Sequence, residues 1–299
     1  MRSPAMRRRF ALVLAGVLAG CGSCGSRAEE EGAAVEVVTP AEPSPALATL
    51  RGVVRLVDDA EVPLYPASLI HGRESAGTWP EVCAPPKTGD RRPTPLGEER
   101  VLGNVALTLT TPAEHRPAFL EALGIVDGAI PGREPVEHVV TIEDCRLRPA
   151  FLTATKGDTV TIANATDYPY FPRFGRSPFQ QSMNLGERRS NPLERGGNLS
   201  LDCGGFGAAC GRADVVVMFH PAHATSAADG TFSIEVPAGI PLVLHGWHPL
   251  YEETRVEVNV PAEGETSVEV LMRPGPPLAD PAPPRDPNAP PPEDELELF

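Results

Sequence analysis

Two pairs of His residues are the side chains in this sequence best suited to metal chemistry. They are His220-x-x-His223 and His245-x-x-His248. Imidazole nitrogens at such short spacing can hold Zn²⁺ or Cu²⁺. If the strands that precede the two pairs are neighbours, their ends bring the four rings together. The pattern therefore makes His220, His223, His245 and His248 candidate ligands of a metal site, but the interpretation we favour is a set of strand-end His side chains bonded to the backbone.

The six Cys residues suggest disulfide chemistry in an exported protein. Four of them, Cys83, Cys145, Cys203 and Cys210, allow three connectivities. We favour Cys203–Cys210, which closes a short Gly-rich loop, and Cys83–Cys145 by default. Cys24 is then left over. Metal ligation by Cys203 and Cys210 is the alternative.

No hydrolase elbow, phosphate-binding loop, dinucleotide fingerprint or zinc-protease helix occurs in the sequence, so we expect no enzymatic activity. The formal net charge of −14 does not suit binding to nucleic acid or to an anionic membrane surface. The low aromatic content and the 35 Pro residues indicate long irregular segments beside the folded part.

The N-terminal segment predicts export. Arg2 and Arg7–Arg9 precede a short apolar run that ends in Leu18-Ala19-Gly20-Cys21. This ending resembles the bacterial lipobox, which implies cleavage before Cys21 and lipidation of its thiol. Gly22 in the next position resembles the class sorted to the outer membrane. An ordinary cleaved signal peptide or a membrane anchor is the alternative.

The elements that would position these residues are β-strands. Val139, Val140 and Ile142, and later Val160 and Ile162, alternate with polar residues as half-buried strands do. Lys156-Gly157-Asp158 has turn chemistry, and Asn164 ends the second strand. The apolar run Val215–Phe219 predicts a fully buried strand, and Val256–Val260 and Val268–Met272 a final hairpin. Phe119, Leu120 and Leu123, with Gly124 after them, predict a short helix.

The order of these pieces resembles a group of secreted bacterial proteins that join a cupredoxin (plastocyanin-like) half to a carboxypeptidase-regulatory-like β-sandwich. The matching segments are Gly103–Leu107, Cys145 with Pro149, Gly157–Val160, His220-Pro221, Asp229–Phe232, Val236–Gly239 and Trp247-His248. The resemblance implies an all-β fold of antiparallel Greek-key β-sandwiches. It implies His248 to be structural.

The resemblance also implies a type 1 copper site, but most of its ligands are missing. Such a site needs two imidazoles and a thiolate. After Asn164 the chain has Tyr170 or Phe171 in the place of the first His, and neither Cys203 nor Cys210 has a His two residues on. We therefore expect no cofactor, with copper as the alternative.

The predicted organisation has five parts. They are a lipoprotein signal peptide (1–20), a disordered tether (21–48), a cupredoxin-like region with a helical insertion near 112–134 (49–212), a carboxypeptidase-regulatory-like β-sandwich (213–272) and a disordered Pro-rich acidic tail (273–299).

The predicted function is a non-catalytic binding or structural module of the bacterial cell envelope, attached to the outer membrane by lipid on Cys21. Its partner would be an envelope protein or a glycan, and not nucleic acid. The alternatives are a copper-binding electron carrier or copper-handling protein with an atypical ligand set, and a His-based zinc or copper site with a storage or hydrolytic role.

Overall fold

A computed structural model of the chain describes residues 46–71, 91–92, 94–175, 181–203, 209–262 and 265–279. The predicted signal peptide, lipidated Cys21, nearly all of the tether, Cys83 and most of the tail lie outside these residues. Among the described residues, no helix has both the length and the apolar character needed to cross a membrane.

The described residues fold mainly as strands. The strands are β1 (Leu47–Leu56), β2 (Ala106–Thr110), β3 (Glu137–Glu143), β4 (Arg146–Arg148), β5 (Phe151–Thr155), β6 (Thr159–Asn164), β7 (Pro172–Phe174), β8 (Arg188–Pro192), β9 (Gly197–Cys203), β10 (Arg212–Met218), β11 (His223–Thr225), β12 (Thr231–Pro237), β13 (Pro241–Trp247), β14 (Thr254–Asn259) and β15 (Glu265–Met272). The α-helices are α1 (Ala67–His71) and α2 (Arg116–Ala122), and Glu98–Arg100 and Ala113–His115 are short 3-10 helices.

Both ends of the described chain build one sandwich, which we call the split sandwich. One of its sheets has the strand order β12-β1-β15, and the other has the order β11-β2-β13-β14. β1 pairs antiparallel with β12 and parallel with β15. The core of this sandwich is formed by side chains that alternate along the strands. In β12, Phe232, Ile234 and Val236 are buried, and the residues between them are exposed.

The middle of the chain builds a second sandwich, which we call the inserted sandwich. Its sheets have the strand orders β4-β3-β6-β8 and β5-β10-β9-β7. β3 and β6 pair in parallel, as do β5 and β10. The predicted Gly157 turn joins β5 to β6 with a positive φ of 97°, and β6 ends at Asn164 as predicted. The fold class is therefore confirmed: the described chain is all-β, with antiparallel sandwiches that also contain parallel strand pairs.

β10 is buried on both faces because it belongs to two packing layers. Ala213, Val215 and Val217 lie in the core of the inserted sandwich. Val216 faces the other way and packs with Ala106 of β2 and Phe151 of β5. The strand thus carries the contact between the two sandwiches.

The predicted boundary between regions 49–212 and 213–272 is wrong. β1 and β2 hydrogen-bond to strands of the C-terminal part, and β10 pairs with β5 and β9. The inserted sandwich therefore runs from β3 to β10, inside the split sandwich. Within the predicted helical insertion near 112–134, α2 precedes Gly124, which has a positive φ of 67°.

Four smaller predictions are also corrected. β14 and β15 do not form a hairpin, because β14 pairs with β13 and β15 with β1. The tether prediction included residues 47–48, which belong to β1, and the tail prediction included Gly275, whose N–H donates to the carbonyl oxygen of Leu250. The predicted buried strand ends before Phe219, whose side chain is 68 % exposed.

Candidate functional site

The structure does not bring the four His residues together. Among the described residues, no group of three or more His, Cys, Asp or Glu side chains could hold a metal ion. β10 and β13, which lead to the two His pairs, lie in different sheets. The predicted four-His arrangement is therefore not formed.

His223 and His248 have structural surroundings. The ring nitrogens of His223 lie 2.9 Å from Thr155 Oγ1 and 3.0 Å from Thr153 Oγ1. Burial, reinforced by the nearby His220, lowers the pKa of His223 to about 4. His248 is fully buried beside Phe151 and Tyr251, and its Nδ1 accepts the Leu250 N–H at 3.2 Å. Burial lowers the pKa of His248 to about 3.

His220 and His245 line a common cavity between the two sandwiches. The cavity measures about 390 Å³, and its walls come from β2 and β13 on one side and from β9 and β10 on the other. Phe219, Trp247 and Met218 also line it, so it is largely apolar. His220 donates from Nε2 to the carbonyl oxygen of Leu109 at 2.9 Å, and its buried Nδ1 has no partner among the described residues.

A hydrogen-bonded chain of three side chains forms the polar end of this cavity. His245 lies 2.7 Å from Thr110 Oγ1 through its Nε2 and 2.6 Å from Glu253 Oε1 through its Nδ1. Hydrogen bonds from Arg255 and then His245 hold the pKa of Glu253 below its usual value, so the carboxylate is charged at neutral pH. These contacts fix the orientation of the imidazole. The sequence pattern did not reveal Thr110 or Glu253, because they lie far from the His pairs or outside any motif.

Phe219 lines this cavity and also a second one. The second cavity measures about 420 Å³ and is lined by Phe219, by Arg133 and Ile130 from the segment after α2, and by Lys156 and Glu194 among others. We call the two cavities and the ring between them the Phe219 site. The N–H of Lys156 donates to the carbonyl oxygen of Met218 at 2.7 Å, which holds the Lys156 turn beside Phe219.

The ring of Phe219 is exposed but held in place. A Cβ atom added at Gly196 would lie 2.5 Å from Phe219 Cζ and 2.7 Å from Cε2, so the distal edge of the ring lies close to Gly196. With no side chain at Gly196, the ring can approach this closely. An exposed aromatic ring offers apolar surface to a ligand.

A buried carboxylate anchors the second cavity. Asp158 Oδ1 lies 2.7 Å from Arg133, and its two oxygens also accept the N–H groups of Val136 and Thr155 and contact His138. Burial by itself would raise the pKa of Asp158, but these hydrogen bonds outweigh it and hold the pKa far below its usual range. Asp158 thereby fixes Arg133 in the wall.

A second buried carboxylate fixes the contact between the sandwiches. Tyr65 donates to Asp214 Oδ2 at 2.6 Å, and Arg212 donates to both oxygens of Asp214 at 2.7 and 3.0 Å. Burial and then the charge of Asp214 raise the pKa of Tyr65 far above its usual value, so its hydroxyl stays protonated. The cluster is fully paired, which suits a buried charge.

The predicted Cys203–Cys210 disulfide is confirmed, with an S–S distance of 2.02 Å. Cys145 is also disulfide-bonded, and its predicted partner Cys83 lies outside the described residues.

Nearby in the same core, Tyr170 is fully buried against Met183, and Asn164 donates to the carbonyl oxygens of Tyr168 and Met183. Burial, followed by the neighbouring Tyr168, raises the pKa of Tyr170 to about 12.

The fold and the site define an all-β protein of two sandwiches with an aromatic cleft between them. No protein-family model matches the chain, and no curated protein does. Among solved structures, the chain is similar to a reduced amicyanin variant, with 24 % identity, a TM-score of 0.24, and coverage of 31 % of this chain and 86 % of that chain. A copper-containing nitrite reductase from Thermus scotoductus matches with 18 % identity, a TM-score of 0.25, and coverage of 31 % and 24 %. A purple cupredoxin from Nitrosopumilus maritimus matches with 17 % identity, a TM-score of 0.23, and coverage of 27 % and 98 %.

The residues of the inserted sandwich do not fit a type 1 copper centre. Such a centre requires a thiolate and two imidazoles. Cys203 and Cys210 are bonded to each other, and Cys145 is also in a disulfide. Tyr170, in the segment after Asn164, is fully buried and supplies no imidazole. We therefore derive no chemistry through copper for this chain.

Proposed function

We propose that this protein is a non-catalytic binding module of the bacterial cell envelope and that its ligand binds at the Phe219 site. The observation that carries the proposal is the ring of Phe219, which is 68 % exposed, rests on Gly196, and lies between two cavities. Aromatic side chains, Phe included, are enriched at the centres of binding surfaces relative to the rest of a protein surface. Cavities of this size are typical of sites for small molecules or single groups of larger ligands.

The attachment to the envelope rests on the sequence. A lipid on Cys21 would tether the module to the outer membrane through the segment that precedes β1. Replacement of Cys21 by Ala is expected to move the full chain from the membrane fraction to the soluble fraction, which fractionation of the producing bacterium would measure.

The proposal is tested by co-sedimentation of the full chain carrying Cys21→Ala with envelope fragments of the producing bacterium. We expect Phe219→Ala and Trp247→Ala each to weaken binding by about tenfold, which corresponds to about 1.4 kcal/mol. Leu185→Ala is the matched control, because Leu185 is also a highly exposed apolar residue but does not line the site. Equal binding by all variants would contradict the proposal.

Catalysis is tested separately. Thr110, His245 and Glu253 follow the hydroxyl–imidazole–carboxylate order of acyl-transfer enzymes. We expect them to act as a rigid polar wall, with no hydrolysis of p-nitrophenyl acetate above that of Thr110→Ala. Hydrolysis that disappears in Thr110→Ala would overturn the non-catalytic part of the proposal.

A further inference from the structure

We propose that the ligand of the Phe219 site is a glycan strand that carries single carboxylates spaced along its sugars. This inference rests on the proposed function, because it names the ligand class of the same site. One sugar would stack on Phe219, and its neighbours along the strand would enter the two cavities.

The geometry of Phe219 suits a sugar. The distal edge of the ring lies against Gly196, and the rest of the side chain is largely exposed, so the ring offers an aromatic platform. The apolar C–H face of a pyranose packs on such a platform, while its hydroxyl groups remain at the rim. Trp247 offers a second aromatic group in the adjoining cavity, where it packs on Phe151 and Val216 and is only partly buried.

Strand pairing argues against an extended peptide as the ligand. The cavity between the sandwiches is bordered by β2, β9, β10 and β13, and each of these strands has a partner strand on both sides. β11 pairs with β2 only as far as Thr108. The carbonyl oxygen of the next residue, Leu109, accepts a hydrogen bond from His220. Along β2, β10 and β13 a peptide would therefore find no strand edge to which its backbone could add, and the uncovered edge is limited to the short part of β9 before its pairing with β7 at Leu201–Cys203.

The polar groups at the rim suit hydroxyl groups. Thr110 and the charged carboxylate of Glu253 lie at the wall of the first cavity, and both are oriented by His245. A charged carboxylate has only acceptor atoms, so it can accept hydrogen bonds from the hydroxyl groups of a sugar. Asn198 adds an amide at the opposite wall.

The charges of the second cavity point to a carboxylate on the ligand. Lys156 lines it, and no ion pair found among the described residues involves Lys156. Arg133 adds a second cationic group whose position is fixed by Asp158. The whole chain has a net charge of −14, so it would repel a ligand with closely spaced negative charges. A strand with isolated carboxylates would bring one acid group at a time beside Lys156 and Arg133, in a cavity whose lining contains the single carboxylate Glu194.

The experiment is an NMR titration of the full chain carrying Cys21→Ala with three soluble probes. The first is glycan strands released from bacterial sacculi and freed of peptide, in which amino sugars with a carboxylate alternate with neutral ones. The second is oligogalacturonate, with a carboxylate on every sugar, and the third is neutral chitooligosaccharide. We expect the first probe to bind most tightly and oligogalacturonate to bind at least about tenfold more weakly.

Variants assign the roles. Phe219→Ala should lose binding of the first and third probes, Phe219→Trp should keep it, and Leu185→Ala should match the parent chain. Lys156→Gln should weaken binding of the first probe and leave the neutral probe unchanged. The carboxylate part of the inference would be overturned if oligogalacturonate bound as tightly as the first probe. It would also be overturned if Lys156→Gln changed binding of the first probe and of the neutral probe to the same extent.

Failure of this inference can be distinguished from failure of the proposed function. If no glycan binds but Phe219-dependent binding to envelope fragments persists and is lost after protease treatment of the fragments, the ligand is a protein and the glycan inference is wrong. If Phe219→Ala leaves binding to envelope fragments unchanged, the proposed function itself is wrong.

Discussion

At the scale of single residues, Gly196 decides how Phe219 is presented. The ring of Phe219 lies so close to the Gly196 backbone that any β-carbon would overlap with it. Packing against backbone atoms restrains the ring while leaving it exposed. The shape of the binding surface therefore depends on Gly196, although this residue has no side chain that could contact a ligand.

Gly196→Ala is expected to displace the ring of Phe219 and to weaken binding to envelope fragments about as much as Phe219→Ala. The reason is the 2.5 Å approach between the new methyl group and Cζ. Binding is measured in the full chain carrying Cys21→Ala, with thermal unfolding as the control for stability. Since both changes act on the same ring, Gly196→Ala should add little in a Phe219→Ala background. Additive effects would show that Gly196 acts by another route.

At the scale of elements, β10 joins the two sandwiches because both of its faces are buried. Its outward face carries Asp214, which is paired with Arg212 of the same strand and with Tyr65 from the segment before α1. The pairs satisfy a charge that would otherwise be costly to bury. The strand therefore holds the two walls of the candidate site at fixed positions relative to each other.

Removal of this carboxylate is expected to destabilise the fold strongly. Asp214→Ala would leave the partly buried Arg212 unpaired and should lower the free energy of unfolding by about 3–5 kcal/mol. Tyr65→Phe removes only one hydrogen bond and should cost about 1–2 kcal/mol. Glu143→Ala is the control, because its ion pair with Arg148 is about half exposed and should contribute less than about 1 kcal/mol. Urea unfolding measures all three, and equal losses for Asp214→Ala and Glu143→Ala would contradict the role of Asp214.

At the scale of the whole molecule, two imidazoles lie where the sandwiches meet, that of His223 half-buried and that of His248 fully buried. His223 of β11 contacts Thr153 and Thr155 of β5, and His248 packs against Phe151 of the same strand. Burial lowers the pKa of His223 to about 4 and that of His248 to about 3. Acid should therefore weaken the contact between the sandwiches.

The sign follows from proton binding. In the unfolded chain both His residues titrate near pH 6.5, so below this pH the unfolded chain binds more protons than the folded chain. Their contribution to stability is complete above pH 6.5 and is lost as the pH falls toward 4, by up to about 1.4 kcal/mol per pH unit for each His. The urea midpoint of His223→Gln/His248→Phe should change less between pH 7.5 and 5 than that of the wild-type chain. An identical change in both proteins would show that other groups control the acid response.

The local structure could be predicted from the sequence because it depends on neighbouring residues. Alternating apolar residues determine β3, β6 and β12, Gly157 permits its turn, and the short separation of Cys203 and Cys210 favours their disulfide. The all-β fold class follows from the same patterns.

Only the tertiary structure decided which strands pair and what covers each side chain. β1 has no local feature that selects β12 and β15 as partners, so the insertion of one sandwich into the other could not be predicted. The run Val215–Phe219 is apolar throughout, yet Phe219 is exposed because the buried strand ends at Met218. Glu253 and Thr110 meet His245 through strand register. The sequence alone determined the elements and their turns, whereas pairings between distant residues created the candidate site, because burial and hydrogen bonding depend on residues far away along the chain.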